Sequence, residues 1–178
     1  GKLAGLVRAA RRVEDATRGS DFIRSGNWHG NDTTWRMCCD LNRCVYYSDA
    51  SGLHLDAPEP VRQVLTVIDG IVAGEGNGPL APTDVPLGVV IAALDPVAAD
   101  LTALALMGYR PDAIRKIAEP MRDPGPRITK VHTPDDVVVC QVVDGSLDTR
   151  EAPLATHDSA RAFEPHPGWL GRLERNST

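Results

Sequence analysis

The chain has 178 residues, with 19 Lys and Arg against 24 Asp and Glu, and a formal net charge of -5. Charged residues make up 24% of it and hydrophobic residues 42%, which is typical of globular domains and argues against a disordered tail or a fibre. Because the acidic balance gives no net positive field, nucleic acid is not an expected partner. A chain of this length buries a sizeable core without a disulfide framework or a structural metal.

Neither a membrane span nor a secretory signal is predicted. The weakly polar stretch at residues 87–107 is interrupted by Asp95, Pro96 and Asp100, so it is unsuited to crossing a bilayer. The first segment is rich in Arg and lacks the apolar core of a secretory signal. Because the chain starts at Gly1 without a Met, we interpret its start as a cut end.

The four cysteines follow the spacing CC-x4-C and then a long gap. This spacing matches no zinc or ferredoxin pattern, so an iron–sulfur cluster is not expected in this segment. Unclustered cysteines are typical of a reducing compartment, which predicts a cytoplasmic location. The residues are Cys38, Cys39, Cys44 and Cys140.

Two amphipathic helices are predicted near the start of the chain. Residues 3–16 alternate an apolar face with an Arg-rich face at helical spacing. A second helix is expected over residues 35–47, beginning at a cap formed by Asp32 or Thr33. The predicted apolar stripe of this second helix consists of Met37, Cys38, Leu41, Cys44 and Val45.

An α/β arrangement is predicted for residues 64–108. Residues 64–68 and 87–94 are short apolar runs that indicate buried strands. Residues 74–86 contain three glycines and three prolines, which predicts an unstructured loop. After the second strand, Asp95 is expected to cap a helix that ends at Gly108. This order of strand, turn and helix predicts an α/β fold with a small mixed or mostly parallel sheet and flanking helices.

The α/β core is predicted to cover residues 1–147. A short helix at residues 111–118 and a strand at residues 137–143 complete it. From residue 148 to residue 178 the chain is rich in Pro, His and Arg and has little periodicity. We therefore expect an irregular extension there, anchored on the surface of the core by Phe163 and Trp169.

A first cluster of polar groups surrounds the glycine-rich run at residues 74–79. Ligands of open α/β sheets collect beyond the carboxyl ends of strands, and glycine N–H groups there suit an anionic oxygen. The run is neither a P-loop nor a dinucleotide fingerprint, and the alternative is a turn that merely needs positive φ angles. The candidate residues are Asp69, Glu75, Gly76, Asn77, Asp95 and Asp100.

These carboxylates have more than one interpretation. Asp69 and Glu75 are candidate ligands for a divalent cation such as magnesium, which prefers carboxylate oxygens and retained waters. Asp95 is also explained as a helix cap. Asp100 lies one turn inside an apolar helix, so it either faces solvent or is buried with a partner.

A second cluster lies at residues 27–36 (NWHGNDTTWR). Arg36 and Arg43 are predicted to clamp a carboxylate or phosphate, with His29 as proton donor or acceptor. The alternative is that Asp40 simply pairs with both arginines on a solvated helix face. Because the chain has no G-x-S-x-G turn with a supporting triad, a covalent hydrolase is not expected.

Several separate blocks of sequence form a pattern in chain order. They are residues 30–37 (GNDTTWRM), 40–43 (DLNR), 67–80 (VIDGIVAGEGNGPL), 95–100 (DPVAAD) and 106–109 (LMGY). Together they resemble the domain of unknown function 362 family. Residues 163–169 (FEPHPGW) are also similar to the end of bacterial members, so the resemblance covers residues 26–169 and coincides with both clusters.

The resemblance implies few functional details. Members are longer and carry an N-terminal half with its own polar motifs, so it implies that this chain is the C-terminal part of such a domain, with that half as a partner. Some relatives are joined to ferredoxin-type cysteine clusters, which implies redox work, but this sequence has no such cluster. The family has no assigned activity, so no catalytic role is transferred from it.

The two clusters together predict an enzyme domain that binds a small anionic substrate, phosphorylated or carboxylated, in a cleft they share. The expected catalytic groups are Asp69, Glu75 and His29. The expected substrate-binding residues are Asn31, Asp32, Arg36, Asp40, Asn42, Gly76, Asn77, Asp95 and Asp100. The alternatives are a redox accessory module whose cluster lies outside this chain, and a binding or structural module without turnover.

Overall fold

A computed structural model of the chain describes residues 26–143, 146–154 and 162–173, so the helix predicted at residues 3–16 lies outside the described residues. The described helices are α1 (Thr34–Tyr47), α2 (Pro96–Met107) and α3 (Arg115–Ala118). The described strands are β1 (Thr66–Gly70), β2 (Ala73–Asn77), β3 (Ala81–Val85), β4 (Val89–Ala93), β5 (Val138–Val143) and β6 (Ser146–Pro153). Short 3₁₀ helices lie at Pro111–Ala113, Pro134–Asp136 and Pro167–Trp169. Within these ranges, no helix is long and apolar enough to cross a bilayer.

The described strands pair antiparallel in three two-stranded sheets, β1 with β4, β2 with β3, and β5 with β6. The predicted α/β class, small sheets with flanking helices, is confirmed. The pairing differs from the mixed or mostly parallel sheet that we expected. The physical reason is the connection from β1 to β4, which is the β2–β3 hairpin and not the helical crossover that a parallel pair needs.

The antiparallel register separates two predicted site residues. Asp69 pairs with Val90, whereas Asp95 follows the far end of β4. At about 3.4 Å per residue, the backbones of the two residues lie roughly 17 Å apart along the strand direction. A parallel pair would have brought both strand ends to one edge of the sheet, which is why the sequence suggested that these residues meet.

The segment predicted as a loop at residues 74–86 is mostly the β2–β3 hairpin, so that prediction is wrong. Gly and Pro are disfavoured in strand interiors. A strand with only one partner nevertheless tolerates Pro at positions where the backbone N–H is not needed for pairing. A Cβ on Gly74 would lie 2.9 Å from the Cβ of Pro82, so glycine is required for this close approach. The Gly78–Pro79 peptide bond in the connection is cis.

Helix α2 begins and ends as predicted. The Asp95 carboxylate accepts the backbone N–H groups of Val97 at 2.9 Å and Ala98 at 3.1 Å, and Pro96 occupies the first turn. Gly108 ends the helix in the left-handed conformation, at φ 70°. Both boundaries follow from local sequence, which is why they could be predicted.

The cap of α1 differs from its prediction. The side-chain oxygen of Asn31 accepts the N–H groups of Thr33 at 2.9 Å and Thr34 at 3.0 Å. Thr33 occupies the cap position but makes no side-chain cap bond, and the Asp32 carboxylate binds the indole N–H of Trp35. The predicted cap position at Thr33 is confirmed, but the prediction that Asp32 or Thr33 supplies the capping side chain is wrong, because the amide oxygen of Asn31 accepts these N–H groups.

The buried face of α1 also differs from the predicted stripe. The buried residues are Cys39, Tyr46 and Tyr47, whereas Met37 and Leu41 are 52% and 57% exposed. Tyrosine rings bury a large apolar area, so Tyr46 and Tyr47 set which face of the helix turns inward. The Tyr47 hydroxyl donates a 2.8 Å hydrogen bond to the carbonyl of residue 127.

The main core forms around α2. Its buried members are Val85, Val97, Leu101, Leu104, Ala105, Tyr109, Ile117, Val131, Val137, Leu154, Phe163 and Leu173. Phe163 is a buried member and Trp169 packs against the cluster, so their predicted anchoring role is confirmed. The irregular extension expected from residue 148 is wrong for its first part, because residues 146–153 form β6. Pairing with β5 supplies backbone hydrogen bonds that the weakly patterned sequence of β6 does not reveal.

Candidate functional site

Two adjoining cavities lie among the residues that the structure describes. Their volumes are about 380 Å³ and about 360 Å³, within the range that holds small molecules in proteins. Both are lined by Asn27, Ile114, Lys116 and Trp169. Because they share these four residues, we treat them as two lobes of one site, the hairpin cavity and the indole cavity.

The hairpin cavity, the larger lobe, lies between the β2–β3 hairpin and α2. Gly74, Gly76 and Gly78 line one side of it. Leu104 and Met107 of α2 contribute apolar surface to its lining. The glycine-rich run therefore borders a cavity, as expected, although it does so as an ordered hairpin.

The indole cavity, the smaller lobe, brings together the second cluster and the C-terminal segment, residues 162–173. Trp35 of α1 and Trp169 contribute the aromatic surface, and Cys38 and Ile114 add smaller apolar groups. His29 also lines this lobe, and its ring lies edge-on to Trp169 with 5.7 Å between ring centroids. The exposed surface of this lobe is mostly apolar, although six of its lining residues carry polar side chains.

Trp169 is held at the boundary between the lobes by two contacts with the second cluster. Its indole N–H donates a 2.8 Å hydrogen bond to the side-chain oxygen of Asn27. The backbone N–H of His29 donates to the carbonyl of the neighbouring Gly168 at 2.9 Å. These bonds join the two ends of the described chain across the site.

Lys116 of α3 lies where the lobes meet. Its ammonium group is 2.8 Å from the carboxylate of Asp100 on α2, and the two side chains are 45% and 34% exposed. The pair also lines a third, smaller cavity of about 150 Å³, which includes Cys38 and Asn42. Of the described Lys and Arg residues, only Lys116 and Arg115 line the two main lobes.

Glu75 lines the hairpin cavity but has a structural role. Its side chain is 8% exposed, and its carboxylate accepts the backbone N–H of Glu164 at 2.9 Å. The N–H of Gly76 in turn donates to the carbonyl of Glu164 at 2.9 Å. These two bonds attach the C-terminal segment to the hairpin.

Asp32 and Arg36 form a cluster beside the indole cavity. The Asp32 carboxylate accepts hydrogen bonds from the Trp35 indole at 3.0 Å and from Arg36 at 3.1 Å, and it also pairs with Arg115. The two guanidinium groups lie 4.4 Å and 4.3 Å from the centroid of the Trp35 ring. Hydrogen bonds from Trp35 and then Arg36 hold the pKa of the Asp32 carboxyl below its usual value. Arg36 itself lines neither lobe.

Asp40 and Asn42 on α1 have local partners. Asp40 pairs with Arg43 at 2.9 Å, and Arg43 reaches Asp123 as well. The pairing of Asp40 with both Arg36 and Arg43 is not found, because Arg36 binds Asp32. Asn42 donates to the carbonyl of Cys38 at 2.8 Å and lines the third cavity.

Asp69, Asn77 and Asp95 line neither lobe. Asp69 lies on the exposed side of β1, where its carboxylate accepts the N–H of Ile71 at 3.0 Å. Asn77 is exposed at the end of β2. The carboxylate of Asp95 also accepts the Thr129 hydroxyl at 2.9 Å, so this residue connects α2 to the segment after α3.

The geometry does not fit the magnesium site considered for Asp69 and Glu75. In the ranges that the structure describes, no group of three or more His, Cys, Asp or Glu side chains is placed to hold a metal ion. Glu75 is buried against backbone and Asp69 is exposed on another sheet. The cysteines are also dispersed, with Cys39 buried, Cys38 half-buried, and Cys44 and Cys140 exposed.

Lys116 is the main site residue that the sequence did not single out. It sits in a predicted short helix without any motif around it, and its contact with Asp100 is tertiary. One signal pointed towards it, because a carboxylate inside the apolar sequence of α2 requires solvent or a cationic partner. Asp100 combines the two alternatives, because it has a partner in Lys116 but is not buried, with 34% of its side chain exposed.

Comparison with known proteins identifies the family of the chain. Residues 4–105, more than half of the sequence, match the family model described as domain of unknown function (DUF362). No curated protein and no solved structure matches the chain. The match includes the glycine-rich run, the second cluster and Asp100. The chain belongs to the domain of unknown function 362 family.

Proposed function

We propose that this chain is an enzyme domain that binds a small anionic molecule in the two-lobed site around Lys116. The observation that carries the proposal is the position of the Lys116 side chain, which lines both lobes and is 45% exposed. An ammonium at the junction of two largely apolar cavities offers a charge-assisted hydrogen bond to an anion in either lobe. The remaining surface of the ligand would be held by the indoles and the apolar residues of α2.

His29 is the group best placed to exchange a proton with such a ligand. It lines the indole cavity, and its ring is positioned by the edge-on contact with Trp169 and by its own backbone bond to Gly168. Imidazole is the side chain suited to general acid–base work near neutral pH. In this proposal His29 keeps its expected catalytic role, whereas Asp69 and Glu75 have none.

The polar residues around the lobes would orient the ligand. Asn27 and Asn31 line the indole cavity, although their side-chain oxygens already accept hydrogen bonds from Trp169 and from the first turn of α1. Asp32 would act indirectly, because it holds Trp35 and Arg115 in place. We also propose a cytoplasmic location, since all four cysteines are free thiols.

The proposal is tested with a panel of small phosphates and carboxylates, with and without magnesium, by thermal shift and calorimetry on the full chain. A ligand at a hundredfold excess over its dissociation constant stabilises a protein by about 2.7 kcal/mol, which is readily detected. Lys116→Gln should weaken binding about tenfold or more, the contribution of a charge-assisted hydrogen bond.

Lys130→Gln is the matched control. Lys130 is exposed and lines neither lobe, so its neutralisation changes the net charge equally without touching the site. Equal losses of affinity in Lys116→Gln and Lys130→Gln would mean that anion binding depends only on the overall charge of the protein. That result, or a panel without any binding, would contradict the proposal.

A further inference from the structure

We propose that the ligand of this site is a carboxylate on a flat, apolar body and not a phosphate ester. The inference rests on the proposed function, since it names the class of anion that the same two lobes would take. Three features carry it: the occupied N–H groups of the hairpin, the charges around Lys116, and the composition of the walls.

The glycine N–H groups of the hairpin are engaged within the protein. The N–H of Gly76 donates to the carbonyl of Glu164, and that of Gly78 donates to the carbonyl of Gly76, both at 2.9 Å. Phosphate sites built on glycine-rich segments depend on several N–H groups that point together at the anion. The hairpin therefore borders the larger lobe without offering these two donors to a phosphate.

The charges around Lys116 favour a ligand with a single negative charge. Lys116 already pairs with Asp100 at 2.8 Å, and Arg115 pairs with Asp32 and Glu119. A phosphate monoester carries a charge of about -1.5 to -2 at neutral pH, which would place two further negative charges near Asp100. A carboxylate adds one charge and shares the three donors of the ammonium group with Asp100.

The walls of the lobes favour a flat apolar body. The indole cavity has Trp35 and Trp169 in its lining, together with Ala113 and Ile114. Aromatic rings pack against indoles in stacked or edge-on arrangements, and these arrangements add binding free energy beyond that of burying apolar area. Since Ile114 and Trp169 line both lobes, an aromatic body in the indole cavity keeps its carboxylate beside Lys116 at the junction.

The test compares four probes by calorimetry at pH 7.5 on the full chain: 2-naphthoate, 2-naphthyl phosphate, 2-naphthylmethanol and acetate. The first three share a ring system and differ in the head group, and acetate has the head group without the ring. We expect 2-naphthoate to bind at least tenfold more tightly than each of the others. Tighter binding of 2-naphthyl phosphate would overturn the inference and leave the anion site intact. Equal binding of 2-naphthylmethanol, or no binding by either anion, would overturn the proposed function itself.

Asp100→Asn tests the charge argument directly. Removing this carboxylate leaves the Lys116 ammonium without its partner, so both anions should bind more tightly and the phosphate should gain more. The preference for 2-naphthoate over 2-naphthyl phosphate should then narrow by about threefold or more, a modest change for one partly exposed charge. Asp84→Asn, at an exposed position of β3, is the control and should leave the preference unchanged. An unchanged preference in Asp100→Asn would contradict the charge argument.

Discussion

The indole nitrogen of Trp169 donates a 2.8 Å hydrogen bond to the side-chain oxygen of Asn27, and this bond connects the two ends of the described chain. Both residues line both lobes of the site. The shape of the site therefore depends on a contact between segments that are 142 residues apart. Substitution of either partner should affect the site and the stability of the fold together.

Asn27→Ala removes the acceptor of the Trp169 indole. Because the indole N–H is part-buried, we expect a loss of about 1 kcal/mol in the free energy of unfolding. Urea denaturation followed by circular dichroism measures it. Asn77→Ala, at an exposed position of β2, is the control and should stay within about 0.5 kcal/mol of wild type. Equal losses in the two variants would contradict a role for the bond.

Gly108 and Gly88 form a natural pair for testing the end of α2. Both have positive φ angles, of 70° and 71°, so alanine is strained at either position. A Cβ at Gly108 would also lie 3.0 Å from the Cα of Ala162, whereas a Cβ at Gly88 meets nothing within 4 Å. Gly88→Ala should cost about 1 kcal/mol, and Gly108→Ala about 2–4 kcal/mol, in thermal or chemical unfolding. Similar losses of unfolding free energy in the two variants would mean that the close approach to residue 162 does not contribute to the loss in Gly108→Ala.

The acid stability of the protein should depend on Asp32. The pKa of its carboxyl is lowered from the usual 3.8 because Trp35 and then Arg36 donate hydrogen bonds to the charged form. A lowered pKa in the folded state means that this stabilisation is present above pH 3.8 and is lost as the pH falls through the folded value. Wild type should therefore exceed Asp32→Asn in stability at neutral pH, with the difference shrinking in acid.

Carbon-13 titration of the aspartate carboxyl groups provides the matching direct measurement. The Asp32 signal should titrate below that of the same residue in the unfolded chain. A midpoint at or above the usual value, or a stability difference that grows in acid, would contradict the assigned hydrogen bonds.

The cysteines should react with iodoacetamide in an order set by their environment. Cys44 and Cys140 are exposed and should be alkylated first, with half-buried Cys38 following. Burial raises the pKa of the Cys39 thiol, so this residue should be slowest, because the thiolate is the reacting species. Mass spectrometry of timed samples at pH 8 gives the order, and in denaturant the four rates should converge. Fast labelling of Cys39 in the native protein would show that the buried face of α1 is assigned wrongly.

The parts of the fold that local sequence determines could be predicted. Asp95 and Gly108 mark the ends of α2 because capping and left-handed termination are chemistry of a few neighbouring residues. The apolar runs that became β1 and β4 were recognised as strands, but the prediction that they are buried is wrong, because alternate residues such as Val67 and Val90 are exposed. The predictions that failed concern segments whose structure depends on strand pairing. The hairpin containing Gly74 and Pro82 has the composition of a loop, and only its partner strand makes it a strand.

The sequence indicated the segments that line the two cavities better than it indicated the individual residues. The glycine-rich run and the segment of His29 line two adjoining lobes, as their chemistry suggested. Arg36 does not line the cavities because Asp32 lies one helical turn before it. The two side chains form a local ion pair in preference to a contact with a ligand. Lys116 was missed because its partner Asp100 is brought to it by the packing of α2 against α3, which leaves no pattern in the sequence.

The central claim, that an aromatic carboxylate binds between the indoles beside Lys116, is tested most directly by the indole N–H signals of the nitrogen-15 spectrum. The chain has three tryptophans, of which Trp35 and Trp169 line the indole cavity and Trp28 does not. Titration with 2-naphthoate should shift the signals of Trp35 and Trp169 and leave Trp28 in place, and in Lys116→Gln the same shifts should need about tenfold more ligand or beyond. Shifts confined to Trp28, or no indole shift at saturating ligand, would contradict the account.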